Sequence, residues 1–189
     1  RVSVRLAKLP AELSGLRIVQ LTDVHIGPTL DGKWLGEVVK QVNALQADLV
    51  VITGDLVDGS LETLRSHVQP LSELRAKHGI YFVTGNHEYY SGAAAWVEHL
   101  RSIGIRVLAN ERVSIGGGSG VAGVDPAAVG EDLARKHLLH QVAVAHAAHS
   151  HEDQHHVLHG AGHALAQDGL DGGLVVLQLQ VFQQHAHQG

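Results

Sequence analysis

Three apolar, β-rich runs of this sequence each end in a polar cluster whose side chains can bind a metal ion. The clusters are "TDVH", "TGDLVDG" and "TGNHE", and they contain Asp23, His25, Asp55, Asn86 and His87. Neighbouring clusters are about thirty residues apart along the chain. Because the carboxyl ends of parallel strands lie along one edge of a sheet, we expect these side chains to converge.

The residue types in the clusters favour a divalent cation as the ligand. Carboxylate, imidazole and amide oxygen suit ions such as Mn²⁺, Fe²⁺ or Zn²⁺. Cysteine is absent, which excludes thiolate ligands and disulfides. The glycines before Asp55 and Asn86 are expected to let the backbone turn sharply and approach a ligand without a clash from Cβ.

Each cluster alone also has an ordinary structural explanation. An Asp after a strand commonly caps a helix or completes a turn, and "GNHE" can itself be a turn. The occurrence of all three clusters in this order, each after an apolar run, favours one shared site.

The elements that would position these clusters alternate between strand and helix through about residue 125. "LRIVQLTD", "DLVVITGD" and "IYFVTGN" are typical of buried strands. Helical patterns occur in "DGKWLGEVVKQVNALQ", in "SLETLRSHVQPLSELRAKHG", which we expect to break near Pro70, and in "SGAAAWVEHLRSIG". The short runs "IRVLAN", "RVSIGG" and "GVAGVD" indicate antiparallel strands, with "GGGSG" as a hairpin turn. The sequence therefore predicts an α/β fold with a mixed sheet.

Aromatic and histidine residues on the predicted helices have simpler interpretations. Trp34 and Trp96 have apolar neighbours at helical spacing and are expected in the core. His67, His78 and His99 are expected at the surface or at helix ends. Tyr89 and Tyr90 follow the third cluster, where they would either line a pocket mouth or simply pack.

Composition favours one globular domain over residues 1–189. The chain is 44% hydrophobic, and its formal net charge of -5 with no run of Lys or Arg argues against nucleic acid as a partner. No apolar run reaches the roughly 18 residues of a membrane-spanning helix, so the given chain is expected to be soluble. It begins with Arg1 rather than Met, which is consistent with a longer parent protein that has a membrane anchor upstream.

Residues 126–189 differ in composition from the preceding part and form a divergent portion rich in His and Gln. Five of the sixteen histidines precede residue 126, so eleven lie in this portion. "QVAVAH" and "GLVVLQLQVF" still predict strands, whereas "HAAHSHEDQHHVLHGAGH" has no clear period. A His-rich low-complexity tail and a segment read out of its proper frame are alternative explanations.

The three clusters together resemble the calcineurin-like metallophosphoesterase family, whose pattern is D-x-H, GDxxD, then GNH followed by D or E. The resemblance covers about residues 14–125. "LTDVHIGPT", "ITGDLVDG" and "FVTGNHEYYSG" are especially similar to the bacterial membrane-associated branch, in which transmembrane helices precede this domain. The resemblance implies a four-layer αββα sandwich and hydrolysis of a phosphomonoester or phosphodiester. A lipid-linked or nucleotide-sugar phosphoester is the substrate that this branch suggests.

The resemblance also implies a site with two divalent metal ions, Mn, Fe or Zn. Asp23 and His25 would hold one ion, Asp55 would bridge both, and Asn86 would bind the second. A carboxylate bridge suits ions about 3.5–4 Å apart, which clamp a phosphoryl group and activate water.

Three neighbouring side chains would act on substrate or ligands. His87 resembles the family's catalytic histidine, which stabilises the transition-state charge or protonates the leaving oxygen. Asp58 is expected to orient a metal ligand. Glu88 would either do the same or be exposed.

The family's remaining ligands are a strand-end His and a GHxH motif, and this sequence departs from both. His146 ends the "VAVAH" run, but no intact GHxH exists: His163 is followed by Leu165 instead of a second His, and His185 and His187 lack the preceding Gly. We expect His146, His185 and His187 to complete the site because each follows a predicted strand. The alternative is a non-catalytic or defective metal-binding fragment of such an enzyme.

Overall fold

The computed structural model describes residues 11–116, 119–123 and 142–146. Its helices are α1 (Gly32–Ala44), α2 (Leu61–Val68), α3 (Asn86–Ser91) and α4 (Ala93–Ser102), with short 3₁₀ helices at Ala11–Leu13 and Gln69–Glu73. Its strands are β1 (Ile18–Leu21), β2 (Leu49–Thr53), β3 (Ile80–Val83), β4 (Arg106–Val107), β5 (Glu111–Gly116), β6 (Ser119–Gly123) and β7 (Val142–His146). The predicted break near Pro70 is confirmed, since α2 ends at Val68 and a 3₁₀ turn follows.

A four-stranded parallel sheet, in the order β1-β2-β3-β4, brings the three polar clusters to one edge. In this register Leu21 lies beside Ile52, and Ile52 lies beside Phe82. β1 and β2 are buried on both faces, as their continuous apolar runs predicted, and β3 is buried from Tyr81 to Val83. All three clusters follow the carboxyl ends of these paired strands.

The fourth strand corrects the expectation that "IRVLAN" is antiparallel. Val107 pairs with Phe82 in parallel. The reason is the connection, because α4 crosses from the end of β3 back to the start of β4, and a helical crossover produces parallel strands. The other two short runs form β5 and β6, which are antiparallel neighbours as predicted, and β6 also pairs with β7 in antiparallel.

The described residues form three layers: helices, the parallel sheet and the antiparallel sheet. One buried cluster joins α1, α2 and α4 to one face of the parallel sheet through residues such as Val39, Ile52 and Trp96. A second cluster joins the opposite face to the antiparallel sheet. Gly123 lies where the two sheets meet: a Cβ there would be 2.5 Å from the Cβ of Leu108. The predicted α/β class is therefore confirmed, and the described residues contain one helical layer of the expected sandwich.

Several predictions about single residues and boundaries can be compared with these layers. Trp96 is fully buried and Trp34 is partly buried against the same core, as expected. No helix in the described parts of the chain is both long and apolar enough to cross a membrane. The single-domain boundary of 1–189 stays a prediction, because apart from the backbone of β7 the portion from residue 126 onward lies outside the described residues.

His99 corrects the expectation of a surface or cap residue, because it is only 4% exposed. It lies three residues after Trp96 on the buried face of α4, and the two rings meet edge to face at 6.0 Å. In the described part of the chain neither ring nitrogen of His99 has a hydrogen-bond partner. Burial lowers the pKa of His99, and the positive charge of Arg65 lowers it further.

We predict that His99 makes folding stability fall in mild acid. Because the pKa of His99 is lower in the folded protein than its ordinary value of 6.5, the unfolded chain takes up this proton at higher pH than the folded protein does, so stability is lost as pH falls through 6.5. His99→Leu should remove that part of the pH dependence and, by removing two unpaired buried nitrogens, raise stability at pH 7 by about 1 kcal/mol. Urea unfolding of both proteins between pH 5 and 8, with chelator present, measures this; equal pH dependence in both would contradict it.

Candidate metal centre

The loops after β1 and β2 lie side by side and continue the parallel pairing of their strands. The backbone N–H of His25 donates to the carbonyl of Asp55 at 3.0 Å, and that of Ile26 donates to Leu56 at 2.8 Å. The N–H of Asp58 returns to the carbonyl of Ile26 at 2.8 Å. The first two polar clusters are therefore fixed to each other through their main chains.

Three of the polar residues have left-handed backbone conformations. Asp23, His25 and Asp55 have φ of 52°, 51° and 50°. Such conformations are uncommon outside glycine and concentrate at functional sites. Gly54 also has a positive φ of 77°, as a sharp turn requires. Gly85 has a φ of -103°, which any residue can adopt, so its backbone conformation does not require glycine.

One group of possible ligand atoms comes from Asp23, His25 and Asp55, all within 4.8 Å of one another. Atoms that share one cation at bonds of about 2.0–2.2 Å are about 3–4.4 Å apart, so small side-chain adjustments suffice to bind an ion. Asp55 is buried, and the other two are half-buried. The donor set of two carboxylates and an imidazole fits a borderline divalent cation.

The Asn86 amide adjoins this group by facing the Asp55 carboxylate. With its NH₂ turned toward Asp55, it donates hydrogen bonds of 3.2 and 3.3 Å. With the amide oxygen turned toward Asp55 instead, that oxygen faces the carboxylate oxygens of Asp55. All of these atoms are acceptors, so this orientation is favourable only with a cation between them. The backbone N–H of His87 also donates to Oδ1 of Asp55 at 2.9 Å. The third cluster is therefore in contact with the second.

A second group consists of His25, Asp58 and His87. Oδ1 of Asp58 lies 2.9 Å from Nδ1 of His25 and 2.6 Å from Nδ1 of His87. These are hydrogen-bond distances, shorter than the roughly 3.3 Å between two tetrahedral ligands of one ion with bonds of about 2.0 Å. In this arrangement Asp58 accepts from both Nδ1–H groups, which leaves Nε2 of each ring for other partners.

Glu88 is fully buried, which excludes the exposed position that the sequence left open as the alternative to an orienting role. Its carboxylate accepts backbone hydrogen bonds from Gly85 and from the loop that contains Asp55. Burial raises the pKa of Glu88, and these N–H donors oppose the rise. A sequence signal existed, since a Glu at the third position of a helix commonly bonds back to the backbone at the helix start.

The two tyrosines after the third cluster have different surroundings. Tyr90 is 65% exposed, and its ring lies edge to face against His87 with centroids 5.9 Å apart. The hydroxyl of Tyr89 lies 3.2 Å from that of Thr84. Tyr90 therefore lies at the mouth of the site, whereas Tyr89 is tied to the end of β3.

The structure brings six of the sequence-predicted site residues together: Asp23, His25, Asp55, Asp58, Asn86 and His87. His146 is the last residue of β7, where its backbone pairs with Ser119. The side chain of His146 lies outside the described residues, as do His185 and His187 entirely. His67, expected at the surface or at a helix end, is partly buried and accepts a hydrogen bond from the N–H of Gly32 at the start of α1.

Comparison with known proteins finds several relatives of this chain. A zebrafish (Danio rerio) protein named "Transmembrane protein with metallophosphoesterase domain" is 44% identical over 115 residues, which cover 60% of this chain and 26% of the relative. An "Uncharacterized metallophosphoesterase" of Helicobacter pylori is 40% identical over 114 residues, 60% of this chain and 30% of the relative. "UDP-2,3-diacylglucosamine pyrophosphatase LpxG" of Chlamydia muridarum is 34% identical over 90 residues, 47% of this chain and 27% of the relative.

These relatives are much longer than the matched region, which covers between about a quarter and a third of their length. The family model described as calcineurin-like phosphoesterase matches residues 16–177, and so extends beyond the portion in which the motifs were recognised. The three strand-end clusters fall within this match and meet at one edge of the sheet. This chain therefore belongs to the calcineurin-like phosphoesterase family.

Proposed function

We propose that this chain hydrolyses a phosphomonoester or phosphodiester with the help of two divalent metal ions. The observation that carries the proposal is the meeting of two carboxylates and an imidazole within 4.8 Å, beside an asparagine amide and a second imidazole. Family membership supports the same chemistry. Nitrogen and oxygen donors suit Mn²⁺, Fe²⁺ or Zn²⁺.

Asp55 is the proposed bridge between the two ions. Its carboxylate is within reach of the ligand atoms of Asp23 and His25 and also faces the Asn86 amide. In this proposal Asp23 and His25 would hold one ion, Asn86 would hold the other, and Asp55 would contact both. Cations held there would neutralise phosphoryl oxygens and lower the pKa of an attacking water.

His87 is the proposed catalytic residue. The hydrogen bond from its Nδ1 to Asp58 directs Nε2 away from the carboxylate, and the side chain is partly exposed beside Tyr90. A neutral Nε2 accepts a hydrogen bond, and a protonated one donates to a phosphoryl oxygen or gives its proton to the leaving oxygen. The hydrogen bond to the Asp58 carboxylate fixes the orientation of the ring.

The remaining ligands are proposed to come from the histidines near the end of the chain. Open catalytic sites use about three protein ligands for each ion, more than the four described residues supply for two. His146, His185 and His187 are the candidates, because each follows a sequence pattern typical of a strand. A non-catalytic metal-binding chain is the competing function if these residues do not contribute.

The proposed substrate class is a lipid-linked or nucleotide-sugar phosphoester. One relative is named as a pyrophosphatase of a diacylated UDP-sugar, and another is named as a transmembrane protein. Both names support a parent protein that works at a membrane. The exposed Tyr90 ring beside His87 offers an apolar contact for the leaving group of such an ester.

The metal bridge is tested by comparing Asp55→Ala with Asp58→Ala. Asp55→Ala should lose bound metal together with hydrolysis of p-nitrophenyl phosphate and its bis-ester. Asp58→Ala should keep metal with affinity lower by roughly 10–100-fold, because it removes an orienting hydrogen bond and no ligand. Metal analysis of both purified proteins decides between these roles, with Asp48→Ala, before the start of β2, as control. An Asp55→Ala protein with the parent's metal content would refute the two-metal site.

His87→Ala tests the catalytic assignment. We expect kcat to fall by about 10²–10⁴-fold while metal content stays near that of the parent, since the imidazole acts in proton transfer and not as a ligand. His78→Ala is the matched control because His78 precedes β3, at the opposite end of the strand from His87. Loss of metal from His87→Ala would instead make His87 a ligand.

A truncation that ends at Phe182 tests the contribution of His185 and His187. We expect it to fold like the parent and to lose tight binding of at least one metal ion, because two ligands are removed. Gln183→Ala/Gln184→Ala in the full chain is the control for changes near the end. If the truncated chain binds as many ions as the parent and hydrolyses both esters equally well, these two histidines are not ligands.

A further inference from the structure

The buried carboxylate of Glu88 accepts four backbone N–H groups and has no role in the ligand set described above. Oε2 accepts from Gly85 at 2.6 Å and from Asp55 at 3.0 Å. Oε1 accepts from Leu56 at 2.8 Å and from Val57 at 3.3 Å. In the described part of the chain no Lys, Arg or His side chain pairs with it. Burying a carboxylate is costly unless hydrogen bonds compensate. All four hydrogen bonds form only in one arrangement of the Glu88 side chain and its donors, so they favour that arrangement.

The donors belong to two different site loops. Asp55, Leu56 and Val57 lie in the loop after β2, and Gly85 lies in the turn between β3 and α3. Glu88 itself lies on α3, immediately after Asn86 and His87. A single side chain therefore joins the proposed bridging ligand to the segment with the second metal ligand and the catalytic histidine.

The Glu88 carboxylate accepts the hydrogen bonds that a longer β3 would otherwise accept from the loop after β2. On one side, the carbonyls of Asp55 and Leu56 accept from the loop after β1. On the other side, β3 ends at Val83 and no longer offers carbonyls to the N–H groups of residues 55–57. Glu88 supplies two acceptor oxygens there, which holds the loop after β2 between its two neighbours.

We infer that Glu88 is a positioning residue that sets the distance between Asp55 and the pair Asn86 and His87, and thereby the affinity for metal. The inference rests on the proposed function and adds to it a residue that contacts neither metal nor substrate. Binding sites need ligands held within about 0.5 Å of their working positions. The four hydrogen bonds of Glu88 supply that constraint across the gap between β2 and β3.

Two substitutions test the geometry of this carboxylate. Glu88→Gln replaces one oxygen by an NH₂ group, which would face backbone N–H donors and leave them unpaired. Glu88→Asp keeps both oxygens but is one methylene shorter, so it cannot reach both loops from the same backbone position. We expect either change to weaken Mn²⁺ binding by roughly 10–100-fold, as for the loss of other groups that orient ligands.

The experiment measures Mn²⁺ affinity of the full chain by titration calorimetry, with circular dichroism as a check on folding. Glu37→Gln is the control for the same chemical change on the exposed face of α1, where Glu37 pairs with Lys40. Val39→Ala is the control for loss of stability alone, because it opens a cavity in the core away from the site. Both controls should bind Mn²⁺ within about threefold of the parent, well short of the roughly tenfold loss expected of an orienting group.

The possible outcomes separate this inference from the proposed function. Parent-like Mn²⁺ affinity in Glu88→Gln or Glu88→Asp overturns the role of Glu88, and so does an equal loss of affinity in Val39→Ala. If Glu88→Gln does not fold, the Mn²⁺ affinity of the folded Glu88→Asp protein decides the question. If neither variant folds, the role of Glu88 is structural and the inference is overturned. A parent that binds Mn²⁺ but hydrolyses neither p-nitrophenyl ester contradicts the phosphoesterase proposal, while the affinity comparison still decides the role of Glu88.

Discussion

Every residue of the candidate site depends on the parallel pairing of β1, β2 and β3. The pairing brings three strand ends to one edge, and backbone hydrogen bonds continue it into the loops, where His25 donates to Asp55 and Ile26 to Leu56. The site thus consists of neighbouring main-chain segments whose side chains share one space. The pairing brings residues about thirty positions apart in the chain within hydrogen-bond distance of one another.

Three loop residues adopt backbone conformations that residues other than glycine disfavour, and the surrounding contacts hold these residues in place. Left-handed backbone at Asp23, His25 and Asp55 costs about 1–3 kcal/mol at each residue. The sheet, the loop-to-loop hydrogen bonds and the buried Glu88 carboxylate offset this cost. The resulting arrangement places the carboxylates of Asp23 and Asp55 close together. Two negative charges at this separation repel each other, and a bound cation turns the repulsion into a net attraction. Strain and electrostatics therefore both indicate a structure organised around divalent metal ions.

The sequence predicted the parts of this account that depend on short patterns. Apolar runs followed by Asp, His and Asn identified the three strand ends, since burial and polarity change there within a few residues. The direction of β4 was wrong because pairing direction depends on the path of α4 through space, which a two-residue strand does not encode. His99 was also misassigned, although its spacing from Trp96 places it on the buried face of the helix. Glu88 could have been recognised as a helix-start residue, but its three partners in another loop required the structure.

The central claim is that these strand ends hold two metal ions in a shared site. Anomalous X-ray diffraction at the manganese absorption edge, from crystals of the full chain grown with Mn²⁺, measures this directly. The account predicts two peaks about 3.5–4 Å apart, one beside Asp23 and His25, the other beside Asn86, with Asp55 between them. A single peak coordinated by Asp58, His25 and His87, or no peak at this edge of the sheet, would contradict it.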